Sequence, residues 1–63
     1  MKKRTLRVWL ASHPWHKDDV RGVAIFTVLA GALYCYDRPL DDDNAECVHV
    51  YAPGAWVSAE WLG

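Results

Sequence analysis

Sixty-three residues, 52% of them apolar and 24% charged, describe one small packed domain spanning 1–63 and argue against a disordered tail. A chain of this size buries only about 60% of the surface its unfolded form exposes, so a thin core and a substrate cleft of about 300 Å³ or more compete for the same side chains, which disfavours a conventional enzyme. The net charge of −1 averages over a polarity: residues 1–7 carry +4 through Lys2, Lys3, Arg4 and Arg7, residues 8–36 balance, and residues 37–63 carry −5.

Residues 5–11 alternate, with Leu6, Val8 and Leu10 on one face and Thr5, Arg7, Trp9 and Ala11 on the other, the period of a half-buried strand. The stretch from Ser12 to Gly22 carries helix punctuation at both ends. Ser12 or His13 suits an N-cap, Pro14 the first helical position and Gly22 the position past the end, which predicts a helix of about two turns with Trp15 and Val20 on its buried side. Residues 23–30 are rich in β-branched and aromatic types and read as a strand buried on both faces. A longer helix over 14–30, stopped by Gly31, is the competing reading.

Under the strand reading Gly31 marks a turn or bulge, and Ala32–Tyr36 forms the next strand. Residues 38–44 make a loop, because Pro39 cannot donate to a ladder and the run Asp41-Asp42-Asp43-Asn44 favours turns. Residues 46–51 alternate again, Pro53-Gly54 signals a turn, and residues 55–62 give a last strand. The fold class expected is α+β: a small single-layer antiparallel sheet of four to five strands with one short helix after the first strand, or β-α-β-β-β if the helix is long.

Two cysteines are too few for a disulfide scaffold, and the apolar stretch from Leu6 to Ala11 is too short and too polar for a signal peptide. The run Val23–Tyr36 would span only ~21 Å as a helix against the ~30 Å hydrocarbon core, so no transmembrane helix is expected. A cytoplasmic protein with reduced thiols is the resulting expectation. If the loop closes symmetrically about Asp41, Cys35 and Cys47 fall opposite each other, as an inert buried pair or a cross-strand disulfide.

His13 and His16, or Cys35, Cys47 and His49, offer zinc-type ligands, but not at zinc-finger spacing. The triplet Asp41-Asp42-Asp43 lacks the alternating ligands and terminal Glu of a calcium loop. No metal, cofactor or catalytic residue is therefore assigned, and the chain is read as no enzyme. Lys2, Lys3, Arg4 and Arg7 beside Trp9 would suit phosphate attraction and stacking, opposed by the acidic second half.

Trp9, Trp15, Trp56 and Trp61 are too many large rings for so small a core. If the last strand alternates regularly, Trp56 and Trp61 take opposite faces and one of them lies away from the core, unless the helix covers the second face. Exposed aromatics beside an acidic loop suit a protein-binding surface, with Asp37, Asp41, Asp42, Asp43, Glu46, Trp56 and Trp61 as the partner-binding residues.

The expected function is a non-catalytic protein-binding module, an inhibitor that occupies a basic, nucleic-acid-binding surface of a larger host protein or nucleoprotein complex by DNA-like charge mimicry. In size and design the chain is similar to the small inhibitors that phages make against host machinery, such as anti-CRISPR proteins, although no residue motif carries that likeness. The alternatives are a small nucleic-acid-binding or ribonucleoprotein accessory module using the basic N-terminal strand, and a subunit whose exposed aromatics close a homo-oligomer. No membrane partner is expected, and the chain is expected as a monomer or homodimer.

Overall fold

A computed structural model describes residues 3–11 and 16–62. It contains six strands: β1 (Arg4–Leu10), β2 (Lys17–Val23), β3 (Ile25–Leu29), β4 (Ala32–Tyr36), β5 (Cys47–Tyr51) and β6 (Trp56–Trp61). They form two antiparallel three-stranded sheets, ordered β2-β1-β6 and β3-β4-β5. The α+β expectation is thereby corrected: the fold is all-β, in two sheets rather than one layer, and no helix exists among the described residues.

The region expected as a helix is strand β2, and the longer helix over 14–30 is excluded by β2 and β3 together. The caps proposed at Ser12 and His13, with Pro14 and Trp15, lie outside the described residues. Physically, Lys17-Asp18-Asp19-Val20-Arg21 has a period-2 solution that β1 selects. Asp18 and Val20 lie across from Val8 and Leu6 on the inner face, and Lys17 and Asp19 lie across from Trp9 and Arg7 on the outer face. Gly22 does take the left-handed backbone a helix stop would need, with φ 74, but it uses it inside the strand. Between the pairs Arg4–Val23 and Leu6–Val20 the register shifts by one residue, a bulge of the type that requires glycine at positive φ.

That bulge turns the chain. After Ala24, whose N–H donates to the Tyr36 carbonyl at 2.8 Å, the strand leaves the first sheet and enters the second as β3. Strands that change sheet at a bend are how two small sheets share one core. β3 and β4 are joined by Ala30-Gly31, with φ 53 and 84, the doubly left-handed pair of a type I′ hairpin turn. Ala52-Pro53-Gly54-Ala55 closes on a 3.0 Å bond from Ala55 N–H to the Ala52 carbonyl, with Gly54 at φ 82 as a type II turn needs, and it returns β6 to lie beside β1.

One core lies between the sheets. Leu6, Val8, Val23, Leu33 and Cys35 are wholly buried and Tyr51 nearly so, with Leu10, Val20, Phe26, Ala59, Trp56 and Trp61 packed around them. The alternation expected for β1 is present. The strand expected over 23–30 is β3, but it is not buried on both faces: Leu29 is 66% exposed. A protein with one core and two thin sheets has only one interior, so the second face of β3 has nothing to pack on.

Candidate functional site

The expected site residues divide by what the fold makes of them. The β4–β5 connection, residues 37–46, is an ordered loop. Its neck is closed by the Asp37 N–H donating to the Glu46 carbonyl (3.1 Å) and the Glu46 N–H donating to Asp37 Oδ1 (2.9 Å). Its tip is two successive turns, from Asp42 N–H to the Pro39 carbonyl and from Ala45 N–H to the Asp42 carbonyl, each at 3.0 Å. Asp42 Oδ1 also accepts the Asn44 N–H at 2.8 Å, the aspartate-turn geometry that such residues favour. Asp37 and Asp42 are therefore half-buried structural acceptors, while Asp41, Asp43 and Glu46 present their carboxylates to solvent. An open depression of about 480 Å³ lies against the loop, lined by Asp37, Arg38, Asp43, Asn44, Ala45 and Glu46.

Trp56 and Trp61 do not join this loop. The register shift in β6 sets Trp56 opposite Leu10 while Ser58 stays opposite Trp9, so Val57 is the extra residue. Trp56, Ala59 and Trp61 then share the inner face with Leu10, Val8 and Leu6, and the expectation that one tryptophan must leave the core is corrected. Trp56 Nε1 donates to the Gly31 carbonyl at 3.0 Å, at the end of β4 away from the acidic loop. Trp61 packs on Phe26, with ring centroids 5.6 Å apart, beneath the Arg4 guanidinium 3.9 Å from its ring centre. A bulge of one residue leaves no compositional signal, which is why period counting misplaces these rings.

The cysteines are separated by the same kind of slip. Cys35 faces His49 but Tyr36 faces Cys47, so Val48 is extra and the two thiols lie on opposite faces instead of opposite each other. Cys35 is buried and Cys47 exposed, and both are free. Burial, with Cys47 nearby as a lesser cause, pushes the Cys35 thiol up to about 11, which keeps it protonated and unreactive at neutral pH. Tyr51 donates to Asp18 Oδ2 at 3.1 Å, and its hydroxyl is pushed above the ordinary tyrosine range by burial first and by this bond second. Among the described residues no three His, Cys, Asp or Glu side chains come together as a metal set; Cys35, Cys47 and His49 do not converge.

The basic N-terminal strand is largely engaged. Arg7 makes a two-pronged contact to Asp19, 2.8 and 3.1 Å, which raises the Arg7 pKa and lowers that of Asp19. Glu60, across from Arg7 on β6, accepts the Trp9 indole N–H at 2.9 Å, and Arg4 is seated on Trp61.

One surface is missed by sequence reasoning. The face of β3-β4-β5 that points away from the core carries Thr27, Tyr34 and Val50 across its middle, with Ile25, Tyr36 and the exposed Cys47 at the loop end and Leu29 beside the buried Ala32 at the turn end. A signal for it exists. Residues 23–36 contain no charge, and a 63-residue chain has interior for only one side of that run. No protein-family model, curated protein or solved structure matches the chain. Among the described residues no helix is long and apolar enough to cross a membrane.

Proposed function

We propose that this chain is a small, non-catalytic, cytoplasmic protein-binding module that sets its acidic β4–β5 loop against a basic, nucleic-acid-binding surface of a larger partner, in the manner of a phage-type anti-host inhibitor. The supporting observation is the unequal fate of the two charge clusters. Arg4 and Arg7 are occupied by Trp61 and Asp19, whereas Asp41, Asp43 and Glu46 project from a pre-formed loop into solvent. Carboxylates carried on a hydrogen-bonded loop steer toward basic surfaces, and the loop backbone needs little ordering on arrival. Arg7, already paired with Asp19, is less available to release counterions from phosphate, which weakens the nucleic-acid-binding alternative at that position. Leu40, half-exposed within the loop, is an apolar side chain among the acids, and Trp56 and Trp61 pack against the core.

The test is capture from a nuclease-treated host lysate by the wild-type chain and by a combined Asp41→Asn, Asp43→Asn, Glu46→Gln variant, which spares the two structural acceptors. Nucleic-acid-binding proteins retained by wild type, eluted by salt and lost with the variant are the expected result. Equal retention by the variant, or retention of nucleic acid itself in an untreated lysate, overturns the reading.

A further inference from the structure

Strand β2 is two unlike parts joined at Gly22. Beyond the bulge Val23 is wholly buried and leads into β3. Before it, residues 17–21 form an edge of the first sheet, and of these only Val20 is even half-buried. The other inward position of this segment holds Asp18, across from Val8, where an apolar side chain would ordinarily seal the core. The seal comes instead from the second sheet: Tyr51, itself 6% exposed, donates its hydroxyl to Asp18 Oδ2 at 3.1 Å. On the outer side the segment is held by the solvent-accessible Arg7–Asp19 pair and by Lys17, 5.9 Å from the centre of the Trp9 ring.

Local preference also opposes this strand. Lys17, Asp18, Asp19 and Gly22 are of types depleted in strands, and the same stretch ends in the punctuation of a helix. A segment whose residues disagree with the structure imposed on it, and which buries little apolar surface, belongs to the low end of local stability. Gly22 supplies a pivot. Its φ of 74 is one that glycine adopts freely, and no atom lies within 4 Å of where its Cβ would stand. We propose that residues 17–21 are a hinged strap, which swings off β1 about Gly22 while the rest of the fold stays intact, and that the Tyr51–Asp18 hydrogen bond is the clasp that holds it shut.

Opening bares the β1 edge from Arg7 to Trp9 and the flank of Leu6 and Val8. With the strap shut, that edge is paired, and the outermost strand is β2, whose Lys17, Asp18, Asp19 and Arg21 discourage further pairing. The strap therefore governs whether the chain presents an unpaired strand edge. Of its two fastenings the clasp is the stronger, because Tyr51 is buried and its bond is to a charged group, whereas the Arg7–Asp19 pair is open to water. The device stands independently of the acidic-loop reading, since hinge, strap and clasp include none of residues 37–46.

Native-state hydrogen exchange of the full chain tests it. The amides of residues 17–21 that donate to β1 are expected to open at least about tenfold more often than those of β4, and with little dependence on dilute urea, because strap opening exposes little surface. Tyr51→Phe, which removes only the donating hydroxyl, is expected to raise strap opening about tenfold. Phe26→Leu, in the ring pair with Trp61 on the β6 side of the core, is expected to speed exchange in β4 and to leave the strap unchanged. Strap amides that share both the rate and the urea dependence of β4 in the wild-type chain overturn the proposal, and that comparison needs no variant. A Phe26→Leu effect of equal size on strap and β4 overturns it too. Strap exchange unmoved by Tyr51→Phe overturns the clasp.

Discussion

On the outer face of β2-β1-β6, Arg7 sits between Asp19 and Glu60, Trp9 hydrogen-bonds Glu60, and Lys17 lies within reach of the Trp9 ring. On the outer face of β3-β4-β5 the same positions of the pleat hold Ile25, Thr27, Tyr34 and Val50. Both sheets line one core. On the first outer face Arg7, Asp19 and Glu60 are each answered by a cross-strand neighbour. The second leaves apolar area in water that folding does not require. Residue type alone does not tell the two kinds of face apart, as the inward-facing Trp56 and Trp61 show.

The sharpest way to break this contrast uses two leucines in one hairpin. Leu33 is wholly buried on the inner side of β4, and Leu29, four residues away, is two-thirds exposed on the outer side of β3. Leu33→Ala is expected to lose about 2–5 kcal/mol in urea unfolding of dilute protein, by lost transfer energy plus the residual cavity. Leu29→Ala is expected to lose less than about 0.5 kcal/mol. Similar losses would mean that the outer face is covered within the monomer and that the two faces do not differ in kind.

Next in size is the corner that separates the faces. No atom lies within 4 Å of where a Cβ on Gly22 would stand, so Gly22→Ala meets only the left-handed backbone penalty, about 1–2 kcal/mol. Ala30, at φ 53 in the type I′ turn, already carries such a penalty, and Ala30→Gly is expected to recover about 0.5–1 kcal/mol. A neutral Gly22→Ala would show that the bulge is not what aims β3 into the second sheet.

Gly22 also shows how much of the fold is legible in the residues alone. Its type points correctly to a position needing positive φ, but a helix stop and a strand bulge need the same φ, and Pro14 upstream tips the balance toward helix. Strands β1, β4, β5 and β6 agree with alternation and turn residues to within a residue or so of their observed ends. The two further bulges, at Val48 and near Val57, add one residue each with no distinctive side chain, and each reverses the faces of the residues beyond it. Hence the loop acids are legible as an exposed group, Asp37 and Asp42 excepted as turn acceptors, while the cysteine pairing and the outward tryptophan are misread.

The thiols give a mid-sized test of the same slip. Cys47, exposed, is expected to react with a thiol reagent at once under native conditions, and Cys35 only as fast as the protein opens. Because the folded Cys35 pKa is raised, from 9.0 to about 11, its contribution to stability is fully present below pH 9.0 and is lost as pH rises toward about 11, where the unfolded thiol ionises first. Tyr51, also raised, acts in the same direction from pH 10.0 upward. Cys35→Val is expected to flatten the alkaline stability profile between pH 9.0 and about 11. An unchanged profile would place the ionising thiol outside the core.

The smallest effect is expected on the charged face, at Arg7 and Asp19. Both are solvent-accessible, and exposed pairs contribute little because water already satisfies each charge and holding two long side chains together costs entropy. Asp19 is held below the ordinary carboxylate range, chiefly by its hydrogen bond from Arg7. The pair's stabilisation is therefore present above that range and lost as pH falls through the lowered Asp19 value. Asp19→Asn is expected to reduce stability slightly at neutral pH, to remove that acid-side slope, and to become indistinguishable from wild type near 1 M salt, where the Debye length is about 3 Å. Arg7 still has Glu60 across from it on β6, which limits the loss further. A large, salt-insensitive loss in urea unfolding would mean that this face is screened from solvent, and the charged pair would then have to be counted as part of the protein's interior.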